Sequence, residues 1–493
     1  MQIRAATGLV LLAQISFSAT LMGCGSLRPR ITGLKEFNLI FINIDALRAD
    51  HLKCYGYARN TSPFLDSLAA QGVRYERAHS NSAYTRESVA TLMSGLLPSS
   101  SGSVGWYAHP FEGEQNLAET FRAAGYRTGL FTLTTMLDHP QFSAGFDEAE
   151  HLTDVWGLSR AGPRLSSRAL EFVRASAGRK FMMYLHYLDP HGPYDPPEEL
   201  FRRFRPVSFP QVFDVYAHVR SHLDLLVAHG FGPGDVRFED MVARYDAEIL
   251  DTDAAIRDLF AGLKTLGVLD RTLVVVSADH GEEFLEHGFV EHAWTLYQES
   301  LHIPLLLWAP TRLPPLRIDA RVSVVDYLPT ILSLMEIPHQ RRDFDGTALF
   351  QRRGKTFRSV APASPLIAEM LIPERSVLRA IIRDDWKYIV AQKWLRPEER
   401  PAAIRAEEKL HGQGLAPSFD LWGPATHEEL YHLSEDPRES RSVSASAPER
   451  VAALRAQLEE YRGRCLGGPA SRRLAEEPTP ADLEKLRSLG YVN

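Results

Sequence analysis

FNLIFINID, residues 37–45, is an almost unbroken apolar run of strand length that ends in a carboxylate. A half-solvated strand would alternate polar and apolar residues, and a buried helix would need a longer run. The texture therefore predicts a strand covered on both faces, as in a parallel sheet. It recurs in TGLFTL (128–133), KFMMYLHY (180–187), TLVVVSA (272–278) and IPLLLWA (303–309). Helical patterns lie between these runs: SPFLDSLAAQG (62–72), NLAETFRAAG (116–125) and MVARYDAEILDTDAAIRDLFAGLKTLG (241–267), each closed by a glycine. Strands alternating with helices predict an α/β domain with a mostly parallel central sheet sandwiched by helices.

From about residue 350 the texture changes. VLRAIIRDDWKYIV (377–390) reads as strand, tight turn and strand, EELYHLSEDPRES (428–440) as a short strand and a turn, and ERVAALRAQLEEYRGR (449–464) as a helix. The expected organisation is a main domain over 37–350, a smaller α+β subdomain over 351–465 and a tail over 466–493. A chain of 493 residues, 44% hydrophobic and 24% charged, has ample material for such cores. Its net charge of -7, with no long basic run interleaved with aromatics, argues against a nucleic-acid surface.

The first residues read differently. Arg4 precedes an apolar stretch from Ala5 to Leu21 that closes in LMGC (21–24), as in a secretory signal. The ending resembles the lipobox of bacterial lipoproteins, which implies cleavage after residue 23, a lipid anchor on Cys24 and a tether over 24–36; a plain secretory signal is the alternative. With Gly25 next, the resemblance points to the outer membrane of a Gram-negative envelope, facing the periplasm, or to the cell surface. The remaining cysteines, Cys54 and Cys465, are too far apart in sequence to say whether they pair.

Three apolar runs end in residues that bind metals or move protons: Asp45 after the first, Asp189 and His191 after the third, Asp279 and His280 after the fourth. Open α/β sheets bind ligands beyond the carboxyl ends of their strands, so these endings predict one site. Asp45 alone could cap a helix. With Asp279 and His280 it makes a three-ligand set that suits zinc or manganese better than an all-oxygen calcium cage. Thr85, in NSAYTRESVATLMSG (81–95), stands where a polar turn runs into a helix and can be a helix cap, a nucleophile or both. A divalent cation would lower its hydroxyl pKa, and a helix N-terminus would favour an anionic ester.

Several ordered blocks resemble the sulfatase family of the alkaline phosphatase superfamily: NLIFINIDALRADHLKCYGYARNTSPFLDSLAAQGVRYERAHS (38–80), HYLDPHGPYDPP (186–197), SADHGEEFLEHG (277–288), VVDYLPTIL (324–332), ELYHLSEDP (429–437) and LRSLGYV (486–492). The resemblance implies an alkaline phosphatase-like fold and metal-dependent hydrolysis of sulfate or phosphate esters. It places Asp45, Asp279 and His280 at metal ligands, His191 at a substrate-binding or leaving-group histidine, His292 near a basic substrate contact and Thr85 at the nucleophile. His287 reads equally as a site residue or a solvated loop histidine.

The departures from the family pattern matter as much. The formylglycine-forming Cys or Ser is Thr85, the arginine four residues on is Val89, the second aspartate of the opening pair is Ala46, and the Lys and His of the KWH block are absent after GYRTGLFTL (125–133). A formylglycine mechanism is therefore not expected. Threonine nucleophiles occur in superfamily relatives, so the expected chemistry is attack by Thr85 and a covalent intermediate, in an enzyme of the cell envelope. Two alternatives are a transferase that passes the group to a lipid or glycan hydroxyl, and a non-catalytic binding lipoprotein.

Overall fold

In a computed structural model, residues 31–103, 115–152, 161–205, 227, 230–339, 343–372, 376–394 and 422–466 are described. The opening apolar run forms β1 (Asn38–Ile44) in the middle of an eight-stranded sheet. The other strands are β2 (Val73–His79), β3 (Arg127–Thr132), β4 (Glu148–His151), β5 (Phe181–Tyr187), β6 (Thr272–Ser277), β7 (His302–Trp308) and β8 (Leu316–Ser323). Their order is β8-β2-β7-β6-β1-β5-β3-β4. β5 and β6 flank β1 in parallel, and every residue of β5 and β6 is buried.

β7 has the same apolar texture but runs antiparallel to both β6 and β2. The chain between β6 and β7 carries no crossover helix; it makes a small hairpin pairing 283–284 with 290–291 and one short turn of helix, so it re-enters the sheet from the edge it left. β2 and β8 add a parallel pair at the far edge, joined across strands by Arg317 and Glu76 at 3.0 Å.

Helices α1 (Pro63–Gln71), α2 (Thr85–Ser94), α3 (Leu117–Ala123), α4 (Gly162–Ala175), α5 (Val236–Thr265) and α6 (Tyr327–Leu334) cover the sheet. α5 is capped by Asp235, whose carboxylate accepts from Arg237 N at 2.8 Å, and it stops before Gly267, which has φ +68°. No helix among the described residues is long and apolar enough to cross a membrane.

The tether expected over 24–36 ends earlier. Ile31 and Thr32 pair with Phe357 and Thr356, and Ile31, Leu34 and Phe37 are buried, because apolar residues this close to β1 dock on its core. The small strands at 350–353 and 356–359 join the same core through Phe350 and Phe357. The C-terminal sheet therefore starts later than residue 351. It contains β9 (Leu366–Ile372), β10 (Ser376–Arg383), β11 (Trp386–Trp394) and β12 (Trp422–His432), all antiparallel. The β10–β11 hairpin turns on Asp384 and Asp385, both at positive φ (51° and 62°), the conformation a two-residue hairpin turn requires. α7 (Pro448–Leu466) packs Val451, Leu454, Leu458 and Tyr461 against Ile381, Tyr388 and Leu430. The signal segment, Cys24 and the tail with LRSLGYV lie outside the described residues.

A buried carboxylate joins the two parts. Glu369 on β9 is fully buried; it accepts from Arg379 Nε at 3.0 Å, from the Ser99 hydroxyl at 2.7 Å and amide at 3.0 Å, and from the Tyr461 hydroxyl at 3.0 Å. Removing one partner of such a pair strands a buried charge at a cost of about 3–5 kcal/mol. Arg379→Met should therefore lower the chemical-denaturation midpoint strongly, and adding Glu369→Gln should recover part of the loss; an unchanged midpoint in the single variant would refute this account of the joint.

Candidate active site

The central strands end together. Asn43 on β1 is in register with His186 on β5 and Ser277 on β6, so Asp45 and Asp279 leave the sheet side by side. After Asp45 the chain turns sharply: Ala46 has φ +55°, and its amide reaches Asp279 Oδ1 at 3.3 Å. Tyr245 of α5 clamps this turn, donating its hydroxyl to Ala46 O at 2.7 Å and accepting from Arg48 N at 3.0 Å.

Asp279 Oδ1 also accepts from the His280 amide at 3.1 Å. Gly281 is required next, since a Cβ there would stand 1.9 Å from the Glu299 carbonyl oxygen. His280 Nδ1 lies 2.9 Å from Gly281 O, which sets the ring proton on Nδ1 and leaves Nε2 as an acceptor. Nε2 is 3.1 Å from Thr85 Oγ1, 3.5 Å from Asp45 Oδ1 and 3.6 Å from Asp279 Oδ2.

Thr85 is not the helix cap that its sequence position suggested. It is the first residue of α2, and Tyr84 precedes it in the cap position without a side-chain capping bond. The hydroxyl is turned to His280 instead. α2 is anchored to the Asp279 turn by Ser88, whose hydroxyl donates to Asp279 O at 2.7 Å. Val89 is fully buried and brings no charge to the pocket.

His186 joins the cluster unannounced by the sequence. Its Nε2 is 3.0 Å from Asp45 Oδ2 and 4.0 Å from Asp279 Oδ2, and ligand atoms of Asp45, His186 and Asp279 all lie within 4.8 Å of one another. Asp45 Oδ1 and Asp279 Oδ2 are buried without a hydrogen-bond partner. Two orphaned carboxylate oxygens facing imidazole nitrogens are the arrangement a divalent cation completes. Burial works against ionisation of Asp45, but the charge of His191 and the contacts of His186 and His280 outweigh it and hold its pKa below the usual value. Burial and the neighbouring Asp45 push Asp279 upward.

His191 and His292 complete the wall. Their rings meet edge-on at 4.8 Å, and His292 lies 4.2 Å from the His280 ring. His191 Nδ1 donates to Gly192 O at 2.6 Å, and burial lowers its pKa. His292 Nδ1 is 2.8 Å from Glu282 Oε1, and Tyr194 donates its hydroxyl to Glu282 Oε2 at 2.8 Å. Glu282 is fully buried, and burial followed by the nearby Glu291 raises its pKa well above the ordinary carboxylate value. Glu282 and Tyr194 were not read as functional from the sequence, although Glu282 directly follows the DHG turn.

His287 is neither of the things expected of it. Its Nδ1 is 2.5 Å from Glu299 Oε1, its Nε2 is 3.1 Å from Glu439 O, and its ring stacks on Tyr297 at 3.6 Å. Burial opposes its charge, but Glu299 raises its pKa, and the ring ties the site loop to the C-terminal subdomain.

The sulfatase family matches residues 37–337 of the chain. This protein belongs to the sulfatase family. Among similar sequences, the uncharacterized sulfatase YidJ of Escherichia coli (strain K12) is 24% identical over 344 residues, spanning 62% of this chain and 69% of its own. Among solved structures, a complex with its substrate D-glucosamine-2-N,6-O-disulfate aligns at TM-score 0.68 and 17% identity, covering 89% of this chain and 100% of that one. The phosphonate monoester hydrolase of Agrobacterium radiobacter aligns at TM-score 0.63 and 19% identity, over 87% and 96% of the two chains. The structural likenesses carry the α/β sheet and smaller antiparallel domain, and family membership makes the chain an ester hydrolase.

Proposed function

We propose that this chain is a metal-dependent hydrolase of sulfate esters and related singly charged esters, with Thr85 as nucleophile. The observation that carries the reading is the Thr85 hydroxyl, 3.1 Å from His280 Nε2 and beside two carboxylates with orphaned oxygens. A cation held on Asp45, Asp279 and His280 would supply the charge that lowers the hydroxyl pKa and offsets the ester oxygens. Thr85 loses its hydroxyl proton to solvent, and Oγ1 forms a bond to sulfur or phosphorus as the bond to the alcohol oxygen breaks. His292, oriented through Nδ1 by Glu282, gives its Nε2 proton to the leaving oxygen, and water then cleaves the threonine ester. His191 offers a buried ring to the ester oxygens.

Two buried carboxylates balance one divalent cation, and Val89 adds no positive charge. This balance favours singly charged esters, such as sulfate monoesters, phosphonate monoesters and phosphodiesters, over doubly charged phosphate monoesters. The relatives named above as a sulfatase and a phosphonate monoester hydrolase fall within that class.

On a panel of chromogenic esters with defined metals, Thr85→Ala should lose at least about a thousandfold in turnover, Thr85→Ser should keep measurable activity, and chelation should abolish it reversibly. Wild-type turnover by Thr85→Ala would exclude the mechanism. Glu282→Gln should slow esters of poor leaving groups far more than nitrophenyl esters, because only the former need a proton in the transition state. Equal losses on both would reduce Glu282 to a structural role.

The envelope location is part of the proposal. With Ile31 docked in the core, only residues 24–30 separate a lipidated Cys24 from the folded domain, a reach of roughly 25 Å at full extension. Such an anchor would hold the enzyme against the bilayer surface. Cys24→Ser expressed in a bacterial envelope should move the protein from the membrane pellet to the soluble fraction; unchanged fractionation would refute the anchor.

A further inference from the structure

We infer that His186 is a fourth protein ligand, making the site a set of two carboxylates and two imidazoles selective for a zinc-like cation over calcium. The inference rests on the metal-dependent reading above and concerns which atoms hold the metal. Ala46, the residue after Asp45, has no side chain that can coordinate. The neighbouring strand brings His186 to the same place, because Asn43 and His186 are in register and Asp45 follows two residues later on the same face.

The spacings support a single shared centre. His186 Nε2 lies 3.0 and 4.0 Å from oxygens of Asp45 and Asp279, and His280 Nε2 lies 3.5 and 3.6 Å from oxygens of the same two residues. Ligands with bonds of about 2.1 Å to one zinc-like cation stand roughly 3–4 Å from one another, and a site expanded to five ligands would keep a position for Thr85. All four residues are essentially fully buried, and the two orphaned oxygens belong to this set.

The second ring nitrogen of His186 has its own neighbour. Nδ1 is 3.3 Å from the Tyr184 hydroxyl and 3.5 Å from Asn43 Nδ2; in the tautomer that metal binding requires, Nδ1 carries the proton and the Tyr184 oxygen accepts it. Nε2 then presents a lone pair toward two carboxylates, an arrangement that is repulsive unless a cation lies between them. The donor set follows from this. Imidazoles suit zinc and its borderline neighbours, whereas calcium favours six to eight oxygens. In the competing arrangement, Nε2–H donates to Asp45 from outside the metal, as outer residues of metal sites do.

The two arrangements differ by one coordinated imidazole. Chelator-stripped protein loaded with one equivalent of Cu2+ should give pulsed electron paramagnetic resonance spectra counting two imidazoles, and His186→Gln should give one. Zinc affinity, titrated against a competing chromophoric chelator, should fall at least about a hundredfold in His186→Gln, and His186→Asp should shift the ratio of calcium to zinc affinity upward. Asn43→Ala, a neighbour of the ring, serves as a control that should keep both imidazoles. One imidazole in the wild type, or an unchanged count in both His186 variants, overturns the inference while leaving a metal-dependent Thr85 mechanism standing. Failure of the stripped wild type to bind any metal stoichiometrically overturns both.

Discussion

Asp45 and Asp279 are buried side by side at the ends of adjacent strands, and the rest of the site answers the cost of that placement. Two like charges within 4.8 Å of each other repel by at least about 3 kcal/mol even at an effective dielectric of 20, and each also loses its hydration. Part of the cost is met by donors: the amides of Ala46 and His280 both serve Asp279 Oδ1. One oxygen of each carboxylate nevertheless stays bare. The opposite directions of their pKa shifts, Asp45 down and Asp279 up, express the same conflict, since ionising one carboxylate makes ionising the other harder. A cation would resolve the conflict for both at once, and the imidazoles that ring the pair are ligands such a cation would accept.

The fold holds this unfavourable pair by fixing the backbone around it. Parallel register places both carboxylates at one edge of the sheet, and α5 secures the strained Ala46 turn through Tyr245. The closest contact is at Gly281, where the chain passes so near Glu299 that no side chain fits. Glu299 also holds His287, and His287 reaches Glu439 of the C-terminal subdomain. Position is thereby transmitted from the small domain to the turn bearing Asp279 and His280. The C-terminal sheet acts as a buttress of the site loop, although the residues of the described metal cluster all come from the main domain.

What could be read in advance depended on whether a residue's role is local. β1, β5 and β6 were legible because burial on both faces leaves a local mark in the sequence, an apolar run. β2 and β8 were not, because Glu76 pairs with Arg74 along β2 and with Arg317 across on β8, and the stretches read as polar. The antiparallel sense of β7 was hidden for another reason: strand direction is set by the connection, not by the strand. In the site, Asp45, Asp279 and His280 stood out because each ends an apolar run. His186 sits within one, and only the register of β5 against β1 turns it toward the cluster. Glu282 was equally hidden, since its partner His292 returns on the other arm of a hairpin.

On the proposed mechanism, Thr85, where the family resemblance places a convertible nucleophile, and Val89, where it places an arginine, belong together physically. Val89 lies one helical turn beyond Thr85 on a helix whose described residues are nearly all buried, and it packs in the hydrophobic core. A charge at that position would be stranded unless the nucleophile beside it carried groups to pair with it. Thr85 has only a hydroxyl and a methyl, and its hydroxyl is already directed to His280 Nε2. With Val89 apolar, the proposed mechanism leaves stabilisation of the attacking oxygen to the side opposite the helix, where the carboxylate pair and its histidines gather. The apolar substitution at 89 and the histidine-rich cluster are thus complementary: the helix supplies packing and an N-terminal dipole, and the strand ends supply the charge.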